Sequence, residues 1–185
     1  MNIVFFDLET QYLFQDLGML NYKQRDPTRL KLAIAGIFSN SKPLFFNEDQ
    51  TEELFENLNQ ADLIVGHNLL KFDYLVLKPY LGKKNISKLE HKTLDTFNEL
   101  KKITGCYISL DDLGKRNLGM EKNVDTMKIP KMWRDGNHQE VKDYLLNDLK
   151  MTEAIYNHGK KNKKFKYDHK EYGKSYGERE VFVDW

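Results

Sequence analysis

An α/β domain with helices packed on a central mixed sheet is the fold class this sequence predicts, and three observations predict it. Runs rich in β-branched and aromatic residues open the chain. A short segment flanked by helical patterns, Asp62-Leu-Ile-Val-Gly66, is apolar throughout its middle, as a strand buried on both faces would be. Strand-like runs come first and then alternate with helix-like stripes. The 185 residues, 40% hydrophobic and 31% charged with no low-complexity run, suffice for one folded domain.

Asn2 to Leu8 reads as a buried strand, with further strands at Leu32 to Phe38 and Leu44 to Phe46, and the three suit a meander. Asp49 and Glu52 fit a capping box for a helix whose stripe Leu54, Phe55, Leu58 ends near Ala61. After the apolar run to Gly66, a helix is expected from Leu69 to Tyr80, stopped by Gly82. Lys92 to Asp95 supplies a fifth strand, followed by a helix to Lys102 and another over Leu110 to Leu118. A last clear helix spans His138 to Asn157. The Lys-rich stretch after Gly159 reads as a linker to Glu180–Trp185, where Val181, Val183 and Trp185 alternate like an edge strand. We therefore expect a domain over 1–158 and a basic aromatic tail over 159–185 that packs on or extends it.

Several function classes are set aside by composition. No stretch reaches the length of a membrane span, and the chain enters a strand pattern at once, so a cytoplasmic site with no membrane partner is expected. Cys106 is the only cysteine, which excludes an internal disulfide and a thiolate zinc cluster and suggests a small buried side chain. The five histidines show no HExxH spacing. Gly173-Lys174-Ser175 imitates the end of a P-loop, but Asp168 stands where that loop needs its first glycine. A net charge of +1 gives little overall attraction to phosphates. One local patch, Lys160, Lys161, Lys163, Lys164, Lys166, Tyr167, His169, Lys170, Tyr172 and Lys174, mixes cations with stackable rings; it suits a solvated, frayed terminus equally well.

Carboxylates occupy positions where the pattern calls for apolar residues. In the first strand Asp7 and Glu9 share a face with Ile3 and Phe5, at the strand's C-terminal end. Acids there need a cation or hydrogen bonds, or else mark a strand emerging into solvent. Asp73 falls inside the stripe Leu69, Phe72, Val76, Leu77, Tyr80, where an isolated charge would cost heavily. Tyr144 and Asp148 are four apart on one helical face with Val141, Leu145, Leu149 and Thr152; a packed tyrosine beside a solvated Asp is the competing reading. Acids from three separate elements can share a site only if the fold brings them together, and a two-metal centre for phosphodiester hydrolysis requires such hard oxygen ligands.

In this order and at these intervals the motifs resemble the DEDD exonucleases of the ribonuclease H-like superfamily, in the subgroup with tyrosine in its third motif (DEDDy). Phe-Phe-Asp7-Leu-Glu9-Thr10 resembles the first motif, Gly66-His-Asn68-Leu-Leu-Lys-Phe72-Asp73 the second, and Tyr144-Leu-Leu-Asn-Asp148 the third. Thr93-Leu-Asp95-Thr96 and Ser109-Leu-Asp-Asp-Leu-Gly114 are similar to the linking segments of the YprB-like branch, which is often helicase-associated. The resemblance covers residues 1 to 158 and implies a ribonuclease H-like fold with a five-stranded mixed sheet.

It also implies a 3′-5′ exonuclease acting on DNA or RNA, at a single-stranded 3′ end, with release of nucleoside 5′-monophosphates. Two Mg²⁺ or Mn²⁺ ions are implied, Asp7 bridging both, Glu9 and Asp148 completing one shell and Asp73 supporting the other through water. Tyr144 would orient, and help deprotonate, the attacking water, and Thr10, Asn68, Lys71 and Phe72 would contact substrate. The histidine subgroup is set aside because position 143 is Asp143 and His138 is out of register with Asp148. A helicase or another DNA- or RNA-processing protein is the implied partner. The segment after Thr10 is longer than the short turn of many relatives, and its Tyr12, Phe14, Tyr22 and Arg25 are candidates for strand contacts. Two other readings stay open: a non-catalytic nucleic-acid-binding or helicase-recruiting module, and a structure-selective endonuclease on the same scaffold.

Overall fold

The computed structural model describes residues 1–121, 125–171 and 173–185. The first apolar runs form β1 (Ile3–Thr10), β2 (Leu32–Ser39) and β3 (Lys42–Asn47), paired antiparallel in succession. Helix α1 (Thr51–Asn59) carries the chain to the far side of β1, where β4 (Leu63–Gly66) joins in parallel. After α2 (Asp73–Glu90), β5 (Thr93–Asp95) pairs in parallel with β4 and completes a sheet of order β3-β2-β1-β4-β5. Four further helices follow, α3 (Thr96–Thr104), α4 (Leu110–Leu118), α5 (Ile129–Arg134) and α6 (His138–Asn162), before a hairpin of β6 (Lys164–Glu171) and β7 (Lys174–Phe182).

Alternation along β1 divides its side chains between two cores. Val4, Phe6 and Leu8 pack with Leu54, Leu58, Tyr74 and Leu77 of α1 and α2. Phe5, on the other face, meets Val141, Leu145 and Leu149 of α6. Both faces of the parallel half are thus covered, which is why β4 reads as an unbroken apolar run. Close approach of α6 depends on Gly36, which pairs with Asp7 in the β1–β2 ladder. A Cβ there would lie 2.7 Å from Leu149 Cδ1 and 3.1 Å from Leu145 Cδ2.

Several elements differ from expectation. The capping box before α1 is formed by Asn47 and Gln50 rather than Asp49 and Glu52, because the chain turns through a 3-10 step at Glu48–Gln50 as soon as it leaves β3. Helix α2 starts at Asp73, not Leu69, and Gly82 interrupts it as expected, with non-helical backbone between two helical stretches. Gly82 takes a left-handed φ of 73°, after which helical geometry resumes because Ile86 and Leu89 have core to fill. Helix α6 runs on to Asn162, and α5 answers to no expected element.

The Lys-rich stretch is strand, not linker. Phe165, Tyr167 and His169 alternate inward along β6, and Val181 and Val183 do the same along the returning chain. They close a third core with Leu113 of α4 and Met151 and Ile155 of α6. Tyr172 lies outside the described residues. Trp185 packs over Gly159, where a Cβ would come within 2.3 Å of its indole nitrogen. Cys106 is buried as expected, its Sγ 3.2 Å from Nδ1 of His169. No helix among the described residues is long and apolar enough to cross a membrane.

Gly66 offers a direct test of the packing at the end of β4. A Cβ there would sit 2.4 to 2.6 Å from three carbons of the fully buried Leu69. Gly66→Ala should therefore lower unfolding free energy by about 1–3 kcal/mol, the usual cost of overpacking, read from urea denaturation. An unchanged midpoint would mean that Leu69 relocates without cost.

Candidate active site

The apolar seam between β1 and α6 ends in acids. Asp7 and Glu9 continue the face of Ile3 and Phe5 toward the strand's C-terminal end, beyond the reach of the last apolar contact. Pairing with β2 slips just past them, Glu9 opposing Ile34 and Thr10 opposing Leu32, an irregularity of the kind that re-aims side chains beside sites. On α6, Tyr144 and Asp148 lie within the buried stripe, between Val141 and Leu145 on one side and Leu149 and Thr152 on the other. Asp73 opens α2 and is only 3% exposed. All five line one cleft of about 420 Å³, together with Asn68 and Phe72.

Asp73 reaches the cleft because the turn before it is held from behind. The buried Asp95, at the end of β5, accepts hydrogen bonds from the backbone N–H of Asn68 at 2.8 Å and of Leu70 at 3.0 Å, and from Asn98 N–H at 3.1 Å. Asn68 sits at a left-handed φ of 75°, a conformation that Asn tolerates better than most residues. His67 bridges Thr96 Oγ1 at 2.9 Å and the Ile108 carbonyl at 3.0 Å. These contacts fix the C-terminal ends of the parallel strands, where open α/β sheets place their ligands.

Electrostatics in the cleft are strained in one direction. Burial, and then the neighbouring carboxylates of Asp7 and Asp95, push the Asp73 acid well above the usual carboxylate range; backbone N–H groups of Asp73 and Leu8 pull the other way. Asp73 Oδ1 is buried without a hydrogen-bond partner among the described residues. Burial likewise raises the Tyr144 phenol far above its ordinary value, followed by the charges of Asp148, Glu9 and Asp7. The phenol therefore stays protonated at neutral pH.

Of the remaining residues expected at the site, Thr10 lies just outside it, its Oγ1 donating to the Tyr12 carbonyl, in a neighbouring cavity that shares the Phe72 wall. Lys71 is exposed and lines neither space. His67, Phe97, Ser109, Leu110 and Thr126 also line the cleft and were not expected there. His67 and Ser109 fall inside quoted motifs, but only the fold brings Phe97 and Thr126 to the same opening. Asp143 is exposed and bonds Gln139, while His138 stacks on Trp133, so neither enters the cleft.

The Lys-rich patch is not an open basic surface. Lys163, Lys164, Lys166 and Lys170 form ion pairs with Asp184, Glu180, Glu178 and Asp168 at 3.1 to 3.4 Å, and the rings of Tyr167 and His169 are buried. Arg116 of α4, steadied by Asp112 on the same helix, ties the hairpin down through Glu178 and Asp168. The P-loop mimic dissolves in the same way, Ser175 Oγ donating to Asp168 at 2.5 Å across the hairpin.

The donor set fits hard divalent cations by its chemistry. Four carboxylates face one cleft, and one of them carries a buried oxygen that lacks a compensating donor. Among the described residues no three acidic, histidine or cysteine side chains close into a ready-made cage, so ions would have to draw the acids inward against their mutual repulsion.

No known family matches the sequence, and no curated protein does. Solved structures do match. One is a family B DNA polymerase from the hyperthermophilic archaeon Pyrobaculum calidifontis, with a TM-score of 0.61 at 14% identity, covering 86% of this chain. What the two share is an α/β fold, here the mixed five-stranded sheet and flanking helices described above. The chain spans 24% of the polymerase's length, and at this identity the likeness concerns fold alone.

Asp73 yields a prediction with a definite sign. Its folded pKa lies above the ordinary value of 3.8, so ionisation costs stability as pH rises past 3.8, and the cost is absent below. Without divalent ions, Asp73→Asn should be more stable than wild type at neutral pH, because the amide keeps the shape of the side chain and removes its buried charge. The gap should close as pH falls toward 3.8. Chemical denaturation across pH checks this, and a destabilised variant at neutral pH would contradict it.

Proposed function

We propose that this chain is a divalent-metal-dependent nuclease that removes nucleotides singly from the 3′ end of a nucleic-acid strand, releasing nucleoside 5′-monophosphates. The observation that carries the reading is the convergence of Asp7, Glu9, Asp73 and Asp148 on the cleft that also holds Tyr144, from three elements distant in sequence. Asp7, Glu9 and Asp148 would hold one Mg²⁺ or Mn²⁺, and Asp73 with the shared Asp7 a second. Such ions, when bound, neutralise phosphate charge and make water acidic enough to attack.

The chain's own groups account for the rest. Tyr144, kept neutral by its surroundings, acts as a hydrogen-bond donor that orients the attacking water or a phosphate oxygen, rather than as a base. Asn68 supplies an amide at the cleft wall, and Phe72 and Phe97 give apolar surfaces for sugar or base. Likeness to a segment of a DNA polymerase is compatible with an exonuclease domain and favours nucleic acid as the partner.

With Mg²⁺ or Mn²⁺, the purified chain should shorten a 5′-labelled single strand stepwise, and a chelator should stop it. Asp7→Asn should abolish cleavage while leaving the melting temperature nearly unchanged, and Tyr144→Phe should lower kcat about 10²-fold or more, as loss of one preorganised hydrogen-bond donor does. Internal cuts alone would assign an endonuclease. Absence of divalent-ion binding by calorimetry would favour a non-catalytic binding module.

A further inference from the structure

The excursion between β1 and β2 builds a second cavity beside the acidic cleft. Gln11 N–H donates to the Lys31 carbonyl at 3.0 Å and Tyr12 N–H to the Leu30 carbonyl at 3.2 Å, so the segment is pinned at its base. Arg134 of α5 clamps its outer part, bonding the Gln11 carbonyl and, at 3.1 Å, Asp16, while its guanidinium lies 5.1 Å from the Tyr12 ring centre. Within this frame Tyr12, Phe14, Met19, Leu30 and Phe72 wall a cavity of about 290 Å³ with Arg25 at its margin. Phe14 meets Phe72 edge to face at 6.3 Å, and Phe72 also lines the acidic cleft, so the two spaces share a wall.

Arg25 is the charged residue that lines this cavity. Lys23, Arg25, Arg29 and Lys31 have no carboxylate partner among the described residues. Of the segment's acids, Asp16 pairs with Arg134, and Asp26 keeps its charge while accepting from the N–H and hydroxyl of Thr28. Arg25 instead lies 5.4 Å from the Phe14 ring centre and 5.9 Å from that of the exposed Tyr22. A flat cation over aromatic rings at the margin of an apolar cavity suits a base with its phosphate. In the Lys-rich hairpin Lys164, Lys166 and Lys170 are paired and the rings of Tyr167 and His169 are buried, so the cation that lies over an exposed ring, Lys174 above Tyr176, stands on a strand surface away from the acidic cleft's lining.

We propose that the 11–31 segment is the strand grip of this protein, the Phe14 and Phe72 cavity accepting one unpaired nucleobase next to the scissile phosphate and Arg25 holding that nucleotide. The inference rests on the nuclease reading for the position of the scissile phosphate, but not for the pocket itself. The cavity is small by the standard of ligand sites, which admits one planar ring system and excludes a base pair.

The test uses the full chain and a short single-stranded oligonucleotide carrying 2-aminopurine at either of its last two 3′ positions. Binding is read with the Asp7→Asn protein and turnover with wild type. Stacking in the cavity should quench the fluorescence, and Phe14→Ala and Arg25→Ala should each weaken Kd and raise KM by roughly 5- to 100-fold, the span of one lost base stack. Removing the base from the responsive nucleotide should weaken wild type comparably and Phe14→Ala no further. Arg25→Lys, at an exposed position, guards against misfolding and should recover only part of the binding. Lys164→Ala with Lys166→Ala should change both constants less than about twofold, as surface ion pairs predict. Active enzyme whose Kd and KM ignore Phe14 and Arg25 overturns the pocket and leaves the nuclease standing. Inactive protein whose binding depends on them overturns the nuclease and leaves the pocket.

Discussion

Burial of α6 against the sheet is the constraint on which the rest of the molecule depends. Val141, Leu145 and Leu149 cover the face of β1 that carries Phe5, and Gly36 removes the one side chain that would hold the helix off. The same stripe that is driven out of water by these residues also contains Tyr144 and Asp148. Hydrophobic burial therefore carries two polar groups to a place they would not choose, opposite Asp7 and Glu9 at the strand's end. The penalty is concentrated at Asp73, where a carboxylate is enclosed with a second acid nearby and an oxygen left without a donor.

Behind the cleft lies a layer that sets its shape. Asp95 gathers three N–H groups, two of them from the turn that delivers Asp73, and Leu69 locks that turn against Gly66. Positioning a charged group precisely requires its neighbours to be rigid, and buried charge-assisted hydrogen bonds supply rigidity where apolar packing alone would not. The excursion after β1 is organised on the same plan, with Arg134 reaching from α5 to its backbone, to Asp16 and to the Tyr12 ring.

Two segments rich in cations meet different fates. In the hairpin, the antiparallel register sets Lys164 against Phe182 and Lys166 against Glu180, and the neighbouring acids Glu178 and Glu180 neutralise the lysines of the facing strand. In the excursion, short 3-10 turns capped by Asn21 and Asp26 absorb the polar groups locally and leave the cations facing outward. Composition ranks the hairpin as the more basic; pairing reverses the ranking.

Local chemistry along the chain determined the strands, because runs such as Ile3 to Phe6 and Leu63 to Val65 are buried on both faces and need no partner to be recognised. It determined the placement of α4 and the stripe of α6, and the ordered set of Asp7, Glu9, Asp73, Tyr144 and Asp148 that the cleft brings together. The inward alternation of Phe165, Tyr167 and His169 was also legible, though lysines between them masked it as a solvated tail. Only tertiary structure decided the rest. Helix resumption after Gly82 depends on a core waiting for Ile86 and Leu89, the role of Asp95 depends on N–H groups supplied by a turn 25 and 27 residues away, and the neutrality of the hairpin depends on which acid a register sets beside each lysine. Propensity and periodicity act between near neighbours, whereas these outcomes are set by partners that sequence distance hides.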